Sequence, residues 1–438
     1  MARSNLKDYV VLPARGIVSD NLATASLVNI AKRQSVRDVF DSMKNLKGLA
    51  RFALNEGTSA VRYALEHGES KDYSLEVLHS FMDDGPKLVR MAPEAERLLR
   101  AEGLRVVPVT HYQLAVTAAP ITVSAIDPAK LVNATDFLRH LYRGTATGPL
   151  GDGVTIGVLD SGVDGDHPRL KSVGGGRGLV RDESDLDWGP CGGKEGVHGT
   201  HVAGIICAAG DPAAGPVGVA PRAKVRSYRI FSKSNVKAGA QNYAIINAIR
   251  AAIEDGCDII NLSISGRGAK DDGVRDAINY AWDNGSLCLA AAGNDGRKPV
   301  SYPAAFPNCV AVSALGKDDL IPAGEKDRSF IADPRSQSDP TIFLASFSNL
   351  GPQIDFAGPG VWIVSTLPGG SMGAMSGTSM ATPAVTGIAA VALSQNPTIL
   401  GAKRDALRAE AIYKLLVSRA KPYRLGSFDY EGYGIPQA

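Results

Sequence analysis

From residue 150 onward, short apolar runs alternate with longer amphipathic stretches. Val154–Leu159 is largely apolar, as expected of a strand buried on both faces of a parallel sheet. Val225–Ile230, Asp258–Ser263, Leu287–Ala292 and Cys309–Val312 are further strand candidates. Helical segments lie between and after them at His201–Ala209, Gln241–Glu254, Gly273–Asn284 and Ser379–Ser394. This alternation predicts an α/β domain with a doubly wound, mostly parallel sheet and helices on both faces. Ligands in such sheets sit beyond the carboxyl ends of the strands. Asp160 ends one predicted strand and Asn294 lies just past another. Gly316–Leu344, rich in Asp, Lys, Pro, Ser and Arg, reads as a long surface excursion.

Residues 1–115 have a different character, with more charge and helical stretches near 35–66. Ser74–Ser80 and Lys87–Arg90 read as strands, Pro93–Glu102 as a helix and Leu104–Val109 as a strand. Pro93 suits a first helical turn and Gly103 stops the helix. These elements predict a small α+β module over 1–115, with a helical insertion at about 15–70. A polar connector over 116–149 leads into the main domain, 150–438.

Composition removes several function classes. The 438 residues are 44% hydrophobic and 21% charged, enough for a sizeable core. A net charge of +2, without a basic run, implies no general attraction to nucleic acid or a membrane surface. The N-terminus lacks the apolar stretch of a secretory signal, and Ala384–Leu393 is too short to span a membrane, so a cytoplasmic location is expected. Five scattered cysteines suit reduced thiols, with two disulfides plus one free thiol as the alternative. Cys191, His198, His201 and Cys207 lie close in sequence, but their spacing does not fit a structural zinc site, and no metal ligands are assigned.

Three Gly-rich strings carry the chemistry: Val158-Leu-Asp160-Ser-Gly-Val-Asp164, Val197-His198-Gly-Thr-His201-Val-Ala-Gly204 and Ser376-Gly-Thr-Ser379-Met-Ala-Thr-Pro383. Amide hydrolysis needs a nucleophile, a base for its proton and donors for the developing oxyanion. Ser379, opening a helix, is the nucleophile candidate, because free N–H groups there favour negative charge on the reacting oxygen. His198 is the base and Asp160 orients its ring. Asn294, in Ala290-Ala-Ala-Gly-Asn294-Asp-Gly296, offers a side-chain amide to the oxyanion. Taken singly, each residue also reads as a helix cap or a turn residue. Four such strings in one chain favour catalysis.

Together these strings resemble the catalytic boxes of the subtilisin-like serine proteases, in their Asp–His–Ser chain order. The resemblance implies an endopeptidase acting through an acyl-enzyme on protein or peptide substrates, with no cofactor required. It implies that Ser263, Ile264, Ser265 and Gly266 form one substrate-pairing edge and Ala238, Gly239 and Ala240 the opposing edge, gripping an extended peptide by β-augmentation. Ala291, Ala292 and Gly293 would line a roomy, apolar primary pocket. Asp164 and His201 match family positions and are given structural roles. Departures are Ser265 for the usual Gly and Ala384 for a common His. Family members often bind calcium through a loop corresponding to Ala208–Gly218, but Arg169 stands where an Asp is usual, so the strong site is expected to be absent. The acidic run Asp182–Asp187 suits calcium, basic substrate residues or plain solvation.

Residues 74–115 are similar to the inhibitory prodomain of many subtilases, so the N-terminal module is expected to be an intramolecular inhibitor, released by cleavage near 112–130. Two other readings use the same residues: a protease-fold regulatory protein held shut by its N-terminal module, and an acyl-transferring peptide ligase or macrocyclase.

Overall fold

A computed structural model describes residues 6–12, 60–61, 75–80, 85–101, 105–117, 121–122, 137, 149–266 and 270–437. Two compact units emerge, one ending at Thr110 and also holding Asp271–Gly273, the other containing the rest from His111.

In the first unit, β1 (Lys7–Leu12), β2 (Ala60–Val61), β3 (Leu75–His79), β4 (Lys87–Met91) and β5 (Arg105–Pro108) form one sheet in the order β2-β3-β4-β1-β5. All of its neighbours are antiparallel. Helix α1 (Pro93–Ala101) joins β4 to β5. Alternation along the strands puts Tyr9, Val11, Val89, Met91 and Val106 on one face, where Ala95 and Leu99 of α1 pack. The strand β1, between β4 and β5, is an element the sequence did not reveal. Of the expected helical insertion at 15–70, only Ala60–Val61 is described, and it is extended and paired with β3. The remainder lies outside the described residues.

The second unit opens with β6 (His111–Leu114) and β7 (Ile121–Thr122). Its sheet strands then follow as β8 (Thr155–Asp160), β9 (Val173–Gly178) and β10 (Lys224–Arg229). After β11 (Ala240–Gln241) come β12 (Ile259–Leu262), β13 (Ile264–Ser265), β14 (Leu287–Ala291) and β15 (Cys309–Lys317). Next come β16 (Ile342–Leu344), β17 (Ile354–Pro359), β18 (Ile363–Leu367) and β19 (Ser371–Met375), and last the short pair β20 (Ala420–Lys421) and β21 (Ile435–Pro436). The helices are α2 (His198–Cys207), α3 (Asn242–Glu254), α4 (Asp272–Asp283, its first two residues counted with the other unit), α5 (Thr378–Ser394) and α6 (Ala406–Arg419).

Eight strands make the main sheet, in the order β16-β15-β14-β12-β8-β10-β9, with β17 also on β15. Every neighbour is parallel except β16. The chain leaves β8 toward β10 on one side and β12 on the other, so a crevice opens beyond the carboxyl end of β8. Asp160 sits there.

The period-2 alternation of β8 shows why helices cover both faces. Ile156 and Val158 join Val202 and Ile206 of α2 and Ala384 and Val385 of α5 in one cluster. Gly157 faces the other way, where an added Cβ would lie 3.3 Å from Ala252 of α3. Helix α2 presses on β18 so closely that a Cβ at Gly204 would fall 2.2 Å from Thr366 Oγ1. All residues of α5 are buried.

The stretch 316–344 is a surface excursion over most of its length, with only Ile321, Asp327 and Ser336 buried between residues 318 and 341, but its two ends are strand. Its start continues β15, and Ile342–Leu344 is a buried strand. Its polar groups are satisfied internally, which permits burial: Lys317 binds Asp319 and Thr341 Oγ1, and Arg335 binds Asp318. All five cysteines are buried and unpaired, so the two-disulfide alternative does not hold. Burial pushes the Cys191 thiol up to about 11 and those of Cys207, Cys257 and Cys288 to about 12. Among the described residues, no helix is long and apolar enough to cross a membrane.

A buried ion pair ties α6 to the sheet. Arg408, 2% exposed, donates to Asp258 Oδ1 at 2.7 Å and to the Gly285 carbonyl at 2.6 Å. Asp258 Oδ2 accepts the Thr155 N–H at the start of β8, and Arg404 adds a second donor at 3.0 Å. Arg408→Ala strands most of this carboxylate without its partner. The expected loss is about 3–5 kcal/mol, measured by urea denaturation in a Ser379→Ala background to prevent self-digestion. A loss below about 1 kcal/mol would mean that Arg404 alone holds Asp258.

Candidate active site

Asp160 and His198 pair beyond the carboxyl end of β8, and Asn294 is bonded to the first turn of α5, which carries Ser379. Asp160 ends β8 and is fully buried. His198 opens α2 and turns its Nδ1 onto the Asp160 carboxylate, at 2.8 Å from Oδ1 and 3.0 Å from Oδ2. The carboxylate fixes the proton on Nδ1, leaving Nε2 as an acceptor. Nε2 is buried and has no partner. Ser379, in the first turn of α5, donates its hydroxyl to the Ser263 carbonyl at 2.9 Å.

Asn294 is aimed by Thr378, which the sequence reading passed over. Its Oδ1 accepts both the Thr378 N–H, at 3.0 Å, and the Thr378 hydroxyl, at 2.9 Å. Those two donors require the oxygen on that side, so Nδ2 faces the opposite way. It is buried without a partner. Unsatisfied buried donors and acceptors are rare; His198 Nε2 and Asn294 Nδ2 are two of them, the latter beside Gly377, which leads into α5.

The space between these groups is filled by the chain itself. β6 lies between β11 and β13 in a three-stranded antiparallel sheet. Tyr112 pairs with Ala240 and His111 with Gln241, while Leu114 pairs with Ile264 and Gln113 with Ser265. Ala115 follows. Its N–H donates to the Ser263 carbonyl at 3.2 Å, and its own carbonyl accepts the Ser379 N–H at 3.1 Å. A Cβ added to Gly377 would lie 2.5 Å from the Ala115 oxygen and 3.2 Å from Asn294 Nδ2, so both atoms border the same small space. Beyond Ala115 the chain continues uncut through Val116. Thr117 then donates its N–H and its hydroxyl to the Ser376 carbonyl, at 3.0 and 2.8 Å, and β7 pairs with β19.

The remaining sequence candidates divide. Gly239, at φ 86°, has no room for a side chain: a Cβ would lie 2.8 Å from the Tyr112 carbonyl oxygen. Gly266 faces the Tyr112 ring, which a Cβ would meet at 2.8 Å. Ala238 is exposed in the turn before β11, with its N–H capped by Asn235. Ala291, Ala292 and Gly293 are buried at the end of β14, and the N–H groups of Ala292 and Gly293 go to the Val312 carbonyl and Thr378 Oγ1.

Outside the cleft, Asp164 accepts the Gly369 N–H and His201 Nε2 contacts the Ile363 and Gly373 carbonyls. Burial drives the His201 pKa down to about 3, which keeps it neutral. Ala384 is buried in the core. In the acidic run, Glu183 binds the buried Arg229 and the Ser232 hydroxyl, and Asp187 binds Lys233. The Arg169 guanidinium donates to the carbonyls of Asp211, at 2.9 Å, and Pro216, at 3.1 Å, inside the 208–218 loop.

Residues 151–434 match the model of the subtilase family. Thermitase of Thermoactinomyces vulgaris is 37% identical over 248 residues, covering 56% of this chain and 76% of that protein. Subtilisin of Bacillus pumilus is 36% identical over 294 residues, covering 66% of this chain and 90% of that one. Subtilisin NAT of Bacillus subtilis subsp. natto is also 36% identical, and the chain spans 65% of its length. With more than half of its residues inside the family match, the chain belongs to the subtilase family.

Proposed function

We propose that this protein is a serine endopeptidase, made as a zymogen, that first cuts its own chain between Ala115 and Val116. One observation carries the reading: the Ala115 carbonyl accepts the Ser379 N–H while the uncut chain on either side is held as added strands. A peptide bond held in this way is a substrate.

A rotation about χ1 moves the Ser379 hydroxyl from the Ser263 carbonyl to His198 Nε2, its vacant acceptor. Ser379 Oγ then attacks the Ala115 carbonyl carbon as His198 takes its proton. Asp160 keeps the ring in the required tautomer and stabilises the imidazolium. Negative charge develops on the Ala115 oxygen, which keeps the Ser379 N–H and gains Asn294 Nδ2. As the C–N bond breaks, His198 returns its proton to the Val116 nitrogen, leaving an acyl-enzyme for water to hydrolyse.

The same register describes the preferred substrate. Ala115 is 2% exposed and Tyr112 3% exposed, so the cleft encloses a small residue before the cut and an aromatic ring three residues earlier, against Gly266. After cleavage, His111–Ala115 remains paired as product, which supports the N-terminal module as an intramolecular inhibitor. Five buried, unpaired thiols support a reducing, cytoplasmic location.

Calcium does not fit the 208–218 loop. Two of its carbonyls already receive Arg169, a Cβ at Gly215 would lie 2.9 Å from Arg169 Nε, and a guanidinium repels a second cation. Among the described residues, no group of three or more His, Cys, Asp or Glu stands ready for a metal. The reading therefore assigns the loop's cation to the protein itself.

Three outcomes are expected. Intact mass of purified wild type will give a fragment ending at Ala115 and another starting at Val116, whereas Ser379→Ala stays full length; a Ser379→Ala chain that still splits there would remove self-processing. Asn294→Ala will slow cleavage of a peptide spanning His111–Thr117 by about 10²–10³-fold, the scale known for this donor in subtilisin, with kcat falling more than KM changes. Melting of Ser379→Ala in calcium and in chelator will coincide, while an added Arg169→Ala lowers the melting temperature in both; a chelator-sensitive parent would contradict the assignment of the loop to Arg169.

A further inference from the structure

Asp327 is a buried carboxylate that the reaction scheme leaves without a role. It lies in a short turn, Lys326–Phe330, within the stretch that the sequence suggested would be solvated. The turn is pinned on both sides. Arg328 donates to the Asp318 and Ile321 carbonyls, at 3.0 and 2.8 Å. Phe330 packs edge-on against Phe347, with centroids 4.9 Å apart, and its carbonyl accepts the Ser346 N–H. Among the described residues no cation pairs with Asp327, and burial raises its pKa. Its partner is the hydroxyl of Ser376, which donates to Oδ2.

A carboxylate buried without a cation is costly unless hydrogen bonds offset its lost hydration. Here it dictates the direction of a short chain of bonds. An ionised Asp327 only accepts, so the Ser376 hydroxyl must donate to it. The Ser376 oxygen is then free to accept the Trp362 N–H at 2.8 Å. Trp362 is itself held at φ 55°, a left-handed conformation unusual for a bulky residue. The next N–H, that of Gly377, goes to the Gly360 carbonyl at 2.8 Å. Residue 376 is thus fastened through its side chain and by the residue after it. Its carbonyl alone points into the cleft, where it takes both the N–H and the hydroxyl of Thr117.

We infer that Asp327 is a positioning residue for the leaving-group side of the cleft: through the Ser376 hydroxyl it holds the carbonyl that binds the backbone N–H of the second residue after the cut. The inference rests on the protease reading and on the register that puts the cut at Ala115–Val116. It assigns a function to an internal stretch that the three catalytic strings do not cover.

The test uses the self-processed enzyme, freed of the N-terminal module and trimmed of Val116–Thr122 so that both sides of the cleft are open, and three substrates. One is a peptide nitroanilide ending in Tyr-Gln-Leu-Ala, with nothing beyond the scissile bond that can reach Ser376. The second is the same sequence continued through Val-Thr, and the third replaces the Val–Thr amide with an ester, which deletes the N–H under study. Wild type should prefer amide over ester by about tenfold in kcat/KM, the scale of one well-made hydrogen bond. In Asp327→Ala that preference should fall below about twofold, with nitroanilide hydrolysis within twofold of wild type. Asp327→Asn, whose amide oxygen still accepts from Ser376, should restore most of it. Ser376→Ala, which keeps the carboxylate but removes the link, should reproduce the loss, and the double variant should add nothing.

An unchanged amide-to-ester ratio in both Asp327→Ala and Ser376→Ala would overturn the inference. Equal losses on nitroanilide and extended peptide would also overturn it, by marking Asp327 as merely structural. If Asp327→Ala does not fold, Ser376→Ala and Asp327→Asn decide the matter by the same ratio. A wild type inactive on every substrate would instead remove the protease reading, and this assignment with it.

Discussion

A buried helix must satisfy the amides of its first turn without water, and in this protein that constraint builds the active site. Helix α5 is enclosed along its whole length. Its first N–H, from Thr378, is taken by Asn294 Oδ1, and the third, from Met380, by the Gly377 carbonyl. The second belongs to Ser379, and the acceptor that reaches it is the Ala115 carbonyl. A carbonyl of the chain's own backbone therefore completes the helix cap. In the proposed reaction the same N–H meets a partner of growing charge as that carbonyl becomes an oxyanion, so a group the fold had to satisfy anyway stabilises the transition state.

The cap also explains how the other residues are arranged. Asn294 can turn its Nδ2 toward the oxyanion because Thr378 occupies its oxygen with two donors. Gly377 must lack a side chain because a Cβ would fall on the Ala115 oxygen. His198 and Asp160 approach from the opposite side, on α2 and β8, whose packing against α5 is fixed by the shared cluster of Val158, Val202 and Ala384. In the proposed reaction, binding on the non-leaving side comes from β11 and β13, which hold His111–Leu114, and on the leaving side from Ser376 and β19, which hold Thr117 and β7. Each half of the cleft is a sheet edge that the chain fills with its own backbone.

Much of this was legible in the sequence, for identifiable reasons. The parallel strands of the main sheet read as apolar runs because both faces are covered. The Gly-rich strings announced Asp160, His198 and Ser379 because close backbone approach leaves few alternatives. Register was not legible. The prodomain-like module suggests a cut somewhere within 112–130, and the pairing of Leu114 with Ile264 is what directs the proposal to Ala115. β1 escaped notice because Tyr9-Val-Val-Leu12 is short and its partners, Lys87–Met91 and Arg105–Pro108, are distant in sequence. The stretch 316–344 reads correctly as a surface excursion, but its polar composition hides two buried charges. Its Lys317 and Asp327 are buried, one against carboxylates and the other against a serine hydroxyl.

A crystal structure of full-length Ser379→Ala decides whether the Ala115 carbonyl of the intact chain sits where the proposed oxyanion forms. Continuous density through Ala115–Val116 is expected, with the Ala115 oxygen within hydrogen-bonding distance of the residue 379 N–H and Tyr112 against Gly266. A different residue at that position, or residues 111–117 lying outside the cleft, would contradict the proposal.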